Sequence, residues 1–243
     1  MPYRRLPNTD NARYKALQIA LEKGKELPPF NLSFSQQTYR RIIGFMSQYE
    51  KALIYYKKTF NNQVQKNQEY LQALKKARLY VSHFFQVLNM AIIRGELSAS
   101  NRKFFGISEN DNRVPALNTE AALIEWGEKL IKGETARKMQ NLAPVNNPTV
   151  AMVKVRFEQF LEAYKFQKTL QTDNKRAQDN LAALRAEADD IILNIWNEVE
   201  ATYKNFPDEV ARTKAIEYGV VYVYRRNELR RITIPETSQL SIF

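Results

Sequence analysis

Residues 42–60 read IIGFMSQYEKALIYYKKTF, and the apolar side chains in this stretch recur every three or four residues. Alternating spacings of four and three place such side chains along one face of an α-helix, in a seam like that of a coiled coil. The stretch therefore predicts a long amphipathic helix. The seam positions are Ile42, Met46, Tyr49, Leu53, Tyr56 and Phe60.

A second seam follows within residues 71–92, and no glycine or proline interrupts the chain between Gly44 and Gly95. Between the seams, residues 61–68 read NNQVQKNQ. We interpret this polar stretch as the turn of a helical hairpin, because one helix of about 50 residues would be about 75 Å long and would need an outside partner. A continuous helix, which would favour self-association, is the alternative.

The second half of the chain repeats this plan. Apolar seams within residues 155–170 and 181–195 flank the polar residues 172–174, where we predict a second hairpin turn. A shorter helix precedes each hairpin. The two short helices start at residues 8–10 and 118–120, where Asn or Thr precedes an acid. Such residues favour an N-cap followed by a negative first turn.

The parallels predict an internal duplication with an offset of about 110 residues, much longer than the period of ordinary repeat proteins. A further match at an offset of 109 joins residues 21–24 to 130–133. The pairs at 110 are Asn8 with Asn118, Thr9 with Thr119, Ala12 with Ala122, Tyr56 with Phe166, Phe60 with Leu170, Leu71 with Leu181, Leu74 with Leu184 and Val81 with Ile191.

The predicted fold is all-α: one helical bundle of two similar helical-hairpin units with a small C-terminal β-hairpin. We expect a first unit at 1–107, a second at 116–206 and a tail at 207–243. The tail would hold a short helix that stops near Gly219, followed by strands at 220–224 and 229–234.

Composition excludes several classes of protein. The chain has no cysteine, so it forms no disulfide and carries out no thiolate chemistry. No run of about 20 apolar residues is present to cross a membrane, and no apolar stretch follows the basic start to form a signal peptide. We therefore expect a cytoplasmic protein that does not insert into membranes.

The opening, MPYRRLPNTD at residues 1–10, resembles the start of a group of bacterial proteins of uncharacterised function that continue as helices. The likeness is specific for about ten residues and general for the rest. The resemblance implies a helical bacterial cytoplasmic protein, and it implies no activity, ligand or site residue.

Motifs for catalysis are missing from the sequence. The single histidine, His83, has no carboxylate one helical turn away, and no Gly-rich phosphate loop or Gly-x-Ser-x-Gly elbow occurs. The acids Glu187, Asp189 and Asp190 flank an apolar seam, as a solvated helix face would. We expect no catalytic residue, no cofactor and no metal site.

Positive charge is concentrated in the first half of the chain. Residues 1–115 carry 19 Lys+Arg and 8 Asp+Glu, whereas residues 116–243 carry 18 of each. At about 100° per residue, three cations of the first seam helix fall within about 20° of one another and about 200° from its apolar seam. The candidate basic surface comprises these three, Arg40, Lys51 and Lys58, together with Lys75, Lys76, Arg225, Arg226, Arg230 and Arg231.

These observations predict a noncatalytic interaction or scaffold protein that presents helical surfaces to a protein partner or to a second copy. The first alternative is a nucleic-acid-binding protein that contacts phosphates through the basic first unit, regardless of sequence. The second alternative is an enzyme whose carboxylate and tyrosine residues come together only in the fold.

Overall fold

The computed structural model describes residues 3–224, and this part of the chain is mostly helical. The predicted all-α class with a small antiparallel sheet is confirmed. No helix among the described residues has the length and apolar character needed to cross a membrane. In chain order the elements are β1 (Tyr3–Arg4), α1 (Asp10–Glu26), α2 (Gln36–Ile93), a 3₁₀ helix (Ala99–Phe105), α3 (Glu120–Met139), α4 (Val150–Ala183), α5 (Arg185–Thr202), α6 (Asp208–Ile216) and β2 (Tyr222–Val223).

The two short helices begin where the sequence predicts. The Thr9 hydroxyl accepts a hydrogen bond from the Ala12 amide at 3.2 Å, and the Thr119 hydroxyl accepts one from the Ala122 amide at 3.1 Å. An acid stands in the first turn of each helix. Each cap satisfies one of the amides that a helix start leaves without an intrahelical partner.

The hairpin turn predicted at residues 61–68 is wrong, because α2 is one continuous helix of 58 residues. Its polar centre bonds to another helix instead of bending the chain. The Asn174 amide donates to the Gln63 side-chain oxygen at 2.7 Å, and the Gln167 amide donates to the Asn67 oxygen at 3.2 Å. These contacts satisfy polar groups that the sequence suggests belong to a turn.

The second predicted turn, at residues 172–174, is also wrong. Helix α4 runs through these residues and ends at Ala183. A single residue, Leu184, separates it from α5, and the backbone of Leu184 keeps helical angles, φ −85° and ψ −10°. Helix α4 therefore continues through the predicted turn, and α5 follows it after one residue of helical backbone.

The chain divides into two compact units, and their boundaries differ from those predicted because the long helices do not fold back. Among the described residues, unit 1 comprises 3–58 and 175–224, and unit 2 comprises 59–174. Both boundaries fall inside long helices, α2 and α4. Each unit therefore contains one short capped helix and a segment of both long helices.

The core of unit 1 forms where α1, the first part of α2 and α5 pack together. Tyr49, Leu53, Ile191 and Ile195 are buried in it, with Trp196 the largest fully buried side chain. The buried seam of this part of α2 is thus covered by the chain itself. Within the described part of unit 1, this seam therefore needs no second copy of the chain to cover it.

The core of unit 2 is rich in aromatic rings. Phe84, Phe85 and Phe105 pack edge to face at centroid distances of 5.7–6.0 Å, and Trp126 packs the same way on Phe85. This geometry sets the positive edge of one ring against the negative face of another. The 3₁₀ helix and α3 are held together around this cluster.

The small sheet lies in unit 1 and joins the two ends of the described chain. Tyr3 pairs with Val223 and Arg4 with Tyr222, in antiparallel register. Helix α6 ends as predicted before Gly219, whose φ of +84° is a conformation that glycine adopts at little cost. The predicted partner strand at 229–234 lies outside the described residues.

Candidate interaction surface

The outward side of α2 in unit 1 carries three of the predicted basic residues. Arg40, Lys51 and Lys58 are exposed, whereas Ile42, at 0%, lies on the buried side of the same helix. None of the three cations forms a salt bridge with any residue from 3 to 224. This leaves three positive charges in a row about 27 Å long, at about 1.5 Å per residue.

Apolar side chains accompany this row of charges. Ile43 is 49% exposed and Ile54 is 59% exposed, and the helical period places both within about 80° of the cations. We call the surface formed by Arg40, Ile43, Lys51, Ile54 and Lys58 the α2 outer face.

Gly44 lies beside the α2 outer face and leaves the helix backbone accessible. A Cβ atom added at Gly44 would meet nothing within 4 Å. Glycine inside a helix costs about 1 kcal/mol relative to alanine. Among residues 3–224, no packing contact accounts for the glycine.

The remaining predicted basic residues do not join this surface within unit 1. Lys75 and Lys76 are exposed on the part of α2 that belongs to unit 2. Arg225, Arg226, Arg230 and Arg231 lie outside the described residues, so their predicted role stays a prediction.

The acids of α5 form contacts that sequence reasoning missed. Asp189 accepts two hydrogen bonds from Arg13, at 2.7 and 3.0 Å, and Asp190 accepts one from Arg41 at 2.7 Å. The sequence predicts that Asp189 and Asp190 lie on a solvated helix face. Instead they connect α5 to α1 and α2, while Glu187 is exposed.

A third ion pair extends this network at the start of α1. Arg185 donates two hydrogen bonds of 2.8 Å to the Asp10 carboxylate. These bonds hold the pKa of Asp10 below its ordinary value, although burial acts in the opposite direction. Residues 10 and 185 are far apart in sequence, and no local pattern predicts their pairing.

Several tyrosines contact carboxylates, as the enzyme hypothesis would require. Burial raises the pKa of Tyr70, and its hydrogen bond to Glu120 raises that pKa further. Burial and a 2.7 Å bond to Glu200 have the same effect on Tyr222. A raised pKa keeps each phenol protonated near neutral pH, where it donates a hydrogen bond and makes a poor general base.

His83 is exposed beside a shallow cavity that Tyr80, Pro148 and Met152 also line. Within residues 3–224, no three His, Cys, Asp or Glu side chains come together in a group that could hold a metal ion. Asn147 also lines this cavity, and no carboxylate belongs to its described lining.

Comparison of the chain with protein-family models, with curated proteins and with solved structures found no match.

Proposed function

We propose that this protein is a noncatalytic binding protein that recognises an acidic protein partner through the α2 outer face. The observation that carries the proposal is the exposure of Ile43 and Ile54 beside a row of cations without salt bridges. An acidic amphipathic helix would satisfy both features at once, because its carboxylates would meet the cations and its apolar residues would cover the isoleucines.

The proposed interface is small. A footprint about 27 Å long on a helix about 10 Å wide is below the size of standard stable interfaces and fits a weak, transient contact. Gly44 supports close approach, because its backbone is not shielded by a side chain. We propose a cytoplasmic location as well, since the absence of cysteine fits a reducing compartment.

Nucleic acid is the second candidate, and the same three cations favour it. Phosphate contacts need positive charge and no sequence motif. A bound duplex would leave Ile43 and Ile54 in water, which is why we favour a protein partner. Arg41, one residue from Arg40, is already paired with Asp190 and adds less to either candidate.

The test compares two probes by fluorescence anisotropy. One is a synthetic acidic peptide of about 20 residues, long enough to form a helix, with leucine every third or fourth residue and glutamate elsewhere. The other is a labelled DNA duplex. A matched peptide with glutamine in place of leucine measures the apolar contribution, and titrations at about 50 and 200 mM salt measure the electrostatic one.

Two variants of the α2 outer face separate the candidates. Ile43→Ala with Ile54→Ala removes exposed apolar area and strengthens helix propensity. Arg40→Gln with Lys51→Gln and Lys58→Gln removes the charges. A matched control, Lys25→Gln with Lys138→Gln and Lys165→Gln, removes the same charge from exposed positions elsewhere.

The proposal predicts that either α2 variant weakens binding of the leucine peptide at least tenfold and that the control does not. Duplex binding that is lost in the charge variant alone, with no peptide binding, would establish the nucleic-acid candidate instead. No binding of either probe at the lower salt would contradict both.

A further inference from the structure

A cavity of about 420 Å³ lies within unit 1, between the segment that follows β1, one side of α1 and the segment that follows α6. Its volume is in the range of small-molecule sites. Most of its lining is apolar, including Ile19, Trp196, Ile216 and Val220. Nothing in the proposed partner-binding function uses this cavity.

Backbone contacts hold the cavity open at its edge. The Arg5 amide donates to the Val221 carbonyl oxygen at 2.9 Å, which continues the pairing of β1 with β2. Gly219, with φ +84°, turns the chain from α6 back toward α1. These contacts fix two walls that are far apart in sequence.

Two cations line the cavity. Arg5 and Lys15 form no salt bridge with any residue from 3 to 224, and no carboxylate belongs to the lining within that range. The neighbouring Arg4, unlike Arg5, has hydrogen-bond partners among the described side chains. Arg4 donates to Asn197 at 2.8 Å and Glu200 at 2.9 Å, on the side of the strand opposite Arg5.

We propose that this cavity binds a small amphipathic carboxylate, whose apolar body lies against Ile19 and Ile216 and whose anionic group is held by Arg5 and Lys15. Apolar walls favour a hydrocarbon body, and the two exposed cations at the cavity attract an anionic group. A neutral alcohol would lose the charge pairing, and a cation would be repelled. Asn8 adds an amide at the same cavity.

Decanoate is the probe, with decanol and decyltrimethylammonium as matched neutral and cationic probes. Isothermal titration calorimetry of the full chain measures each affinity. A Trp126→Phe variant leaves Trp196 as the single tryptophan, so that its fluorescence reports binding in the cavity.

Two variants test the assigned residues. Arg5→Gln with Lys15→Gln is expected to weaken decanoate binding at least tenfold, and Ala12→Leu, which fills the cavity, is expected to abolish it. Lys25→Gln on the same helix is the control and leaves the affinity unchanged.

The inference is overturned if wild-type protein shows no saturable decanoate binding, if decanol binds as tightly, or if the Arg5 and Lys15 variant binds decanoate as wild type does. Circular dichroism of each variant establishes that a lost affinity is not a lost fold. The α2 variants are expected to bind decanoate normally, so this test and the test of the proposed function are independent.

Discussion

Units 1 and 2 each contain a similar short capped helix, but the ion pairs within the two units differ in burial. In unit 1, the Arg13–Asp189 and Arg185–Asp10 pairs retain between 12% and 38% side-chain exposure. In unit 2, the Arg137 guanidinium and the Glu134 carboxylate are both 0% exposed, with 2.6 Å between the bonded atoms. Water can therefore reach the ion pairs of unit 1, whereas it is excluded from the ion pair of unit 2.

The buried contacts of unit 2 form a closed network. Arg137 also donates to the Asn101 oxygen at 2.9 Å and to the Ala143 carbonyl at 2.7 Å, while Glu134 accepts from the Val145 amide at 3.1 Å. The contacts of α3 with the 3₁₀ helix and with the segment at residues 143–145 therefore depend on the charges of Arg137 and Glu134. Removing one charge leaves the other buried without its partner.

The largest predicted effect follows from this difference. Arg137→Met is expected to lower the free energy of unfolding by about 3–5 kcal/mol, because it leaves the Glu134 carboxylate buried and unpaired. Urea denaturation followed by circular dichroism measures the change. The double variant Arg137→Met with Glu134→Leu should recover most of the loss, and a loss below about 1 kcal/mol in the single variant would contradict the buried-pair account.

The glycines matched between the short helices give the second prediction. A Cβ at Gly133 would lie 2.5 Å from the Phe104 carbonyl oxygen, a backbone atom, whereas a Cβ at Gly24 would meet the ring of Tyr39. Gly133→Ala is expected to cost about 1–3 kcal/mol, as overpacking does, and Gly24→Ala less, since a side chain moves more easily than backbone. Thermal unfolding compares the two, and an equal or larger cost at Gly24 would reverse the ranking.

The smallest effect concerns the partly exposed network of unit 1. Asp10→Asn is expected to lower the free energy of unfolding by about 1 kcal/mol at neutral pH, because its charged hydrogen bonds are partly shared with water. Because the folded-state pKa of Asp10 is lowered, its contribution is complete above the ordinary value of 3.8 and is lost as the pH falls from there through the lowered value. Urea denaturation should therefore show that the free energy of unfolding falls less between neutral and acid pH in Asp10→Asn than in wild type.

Local patterns predict much of the fold. The Thr9 and Thr119 caps and the stop before Gly219 depend on neighbouring residues, and the structure has all three. The buried seam of α2 also agrees with its period, because Ile42, Met46, Tyr49 and Leu53 share one face of the helix and all four are buried. The internal duplication stays a prediction, which the matched caps favour.

Contacts between distant residues were not predictable from the sequence. A polar stretch is compatible with a turn or with hydrogen bonds to another helix, and only the position of Asn174 beside Gln63 decides between them. The cavity of unit 1 depends on pairing between β1 and β2, whose residues lie at opposite ends of the described chain. By contrast, the exposure of Arg40, Lys51 and Lys58 agrees with the helical period alone.

The most direct test of the proposed function is the affinity of the leucine-containing acidic peptide for wild-type protein and for the variant Ile43→Ala with Ile54→Ala. The variant keeps every charge of the α2 outer face, so it isolates the apolar contribution that distinguishes a protein partner from nucleic acid. We predict that the variant binds the peptide at least tenfold more weakly than wild type. Equal affinity of the two proteins would contradict recognition of an acidic protein through the α2 outer face.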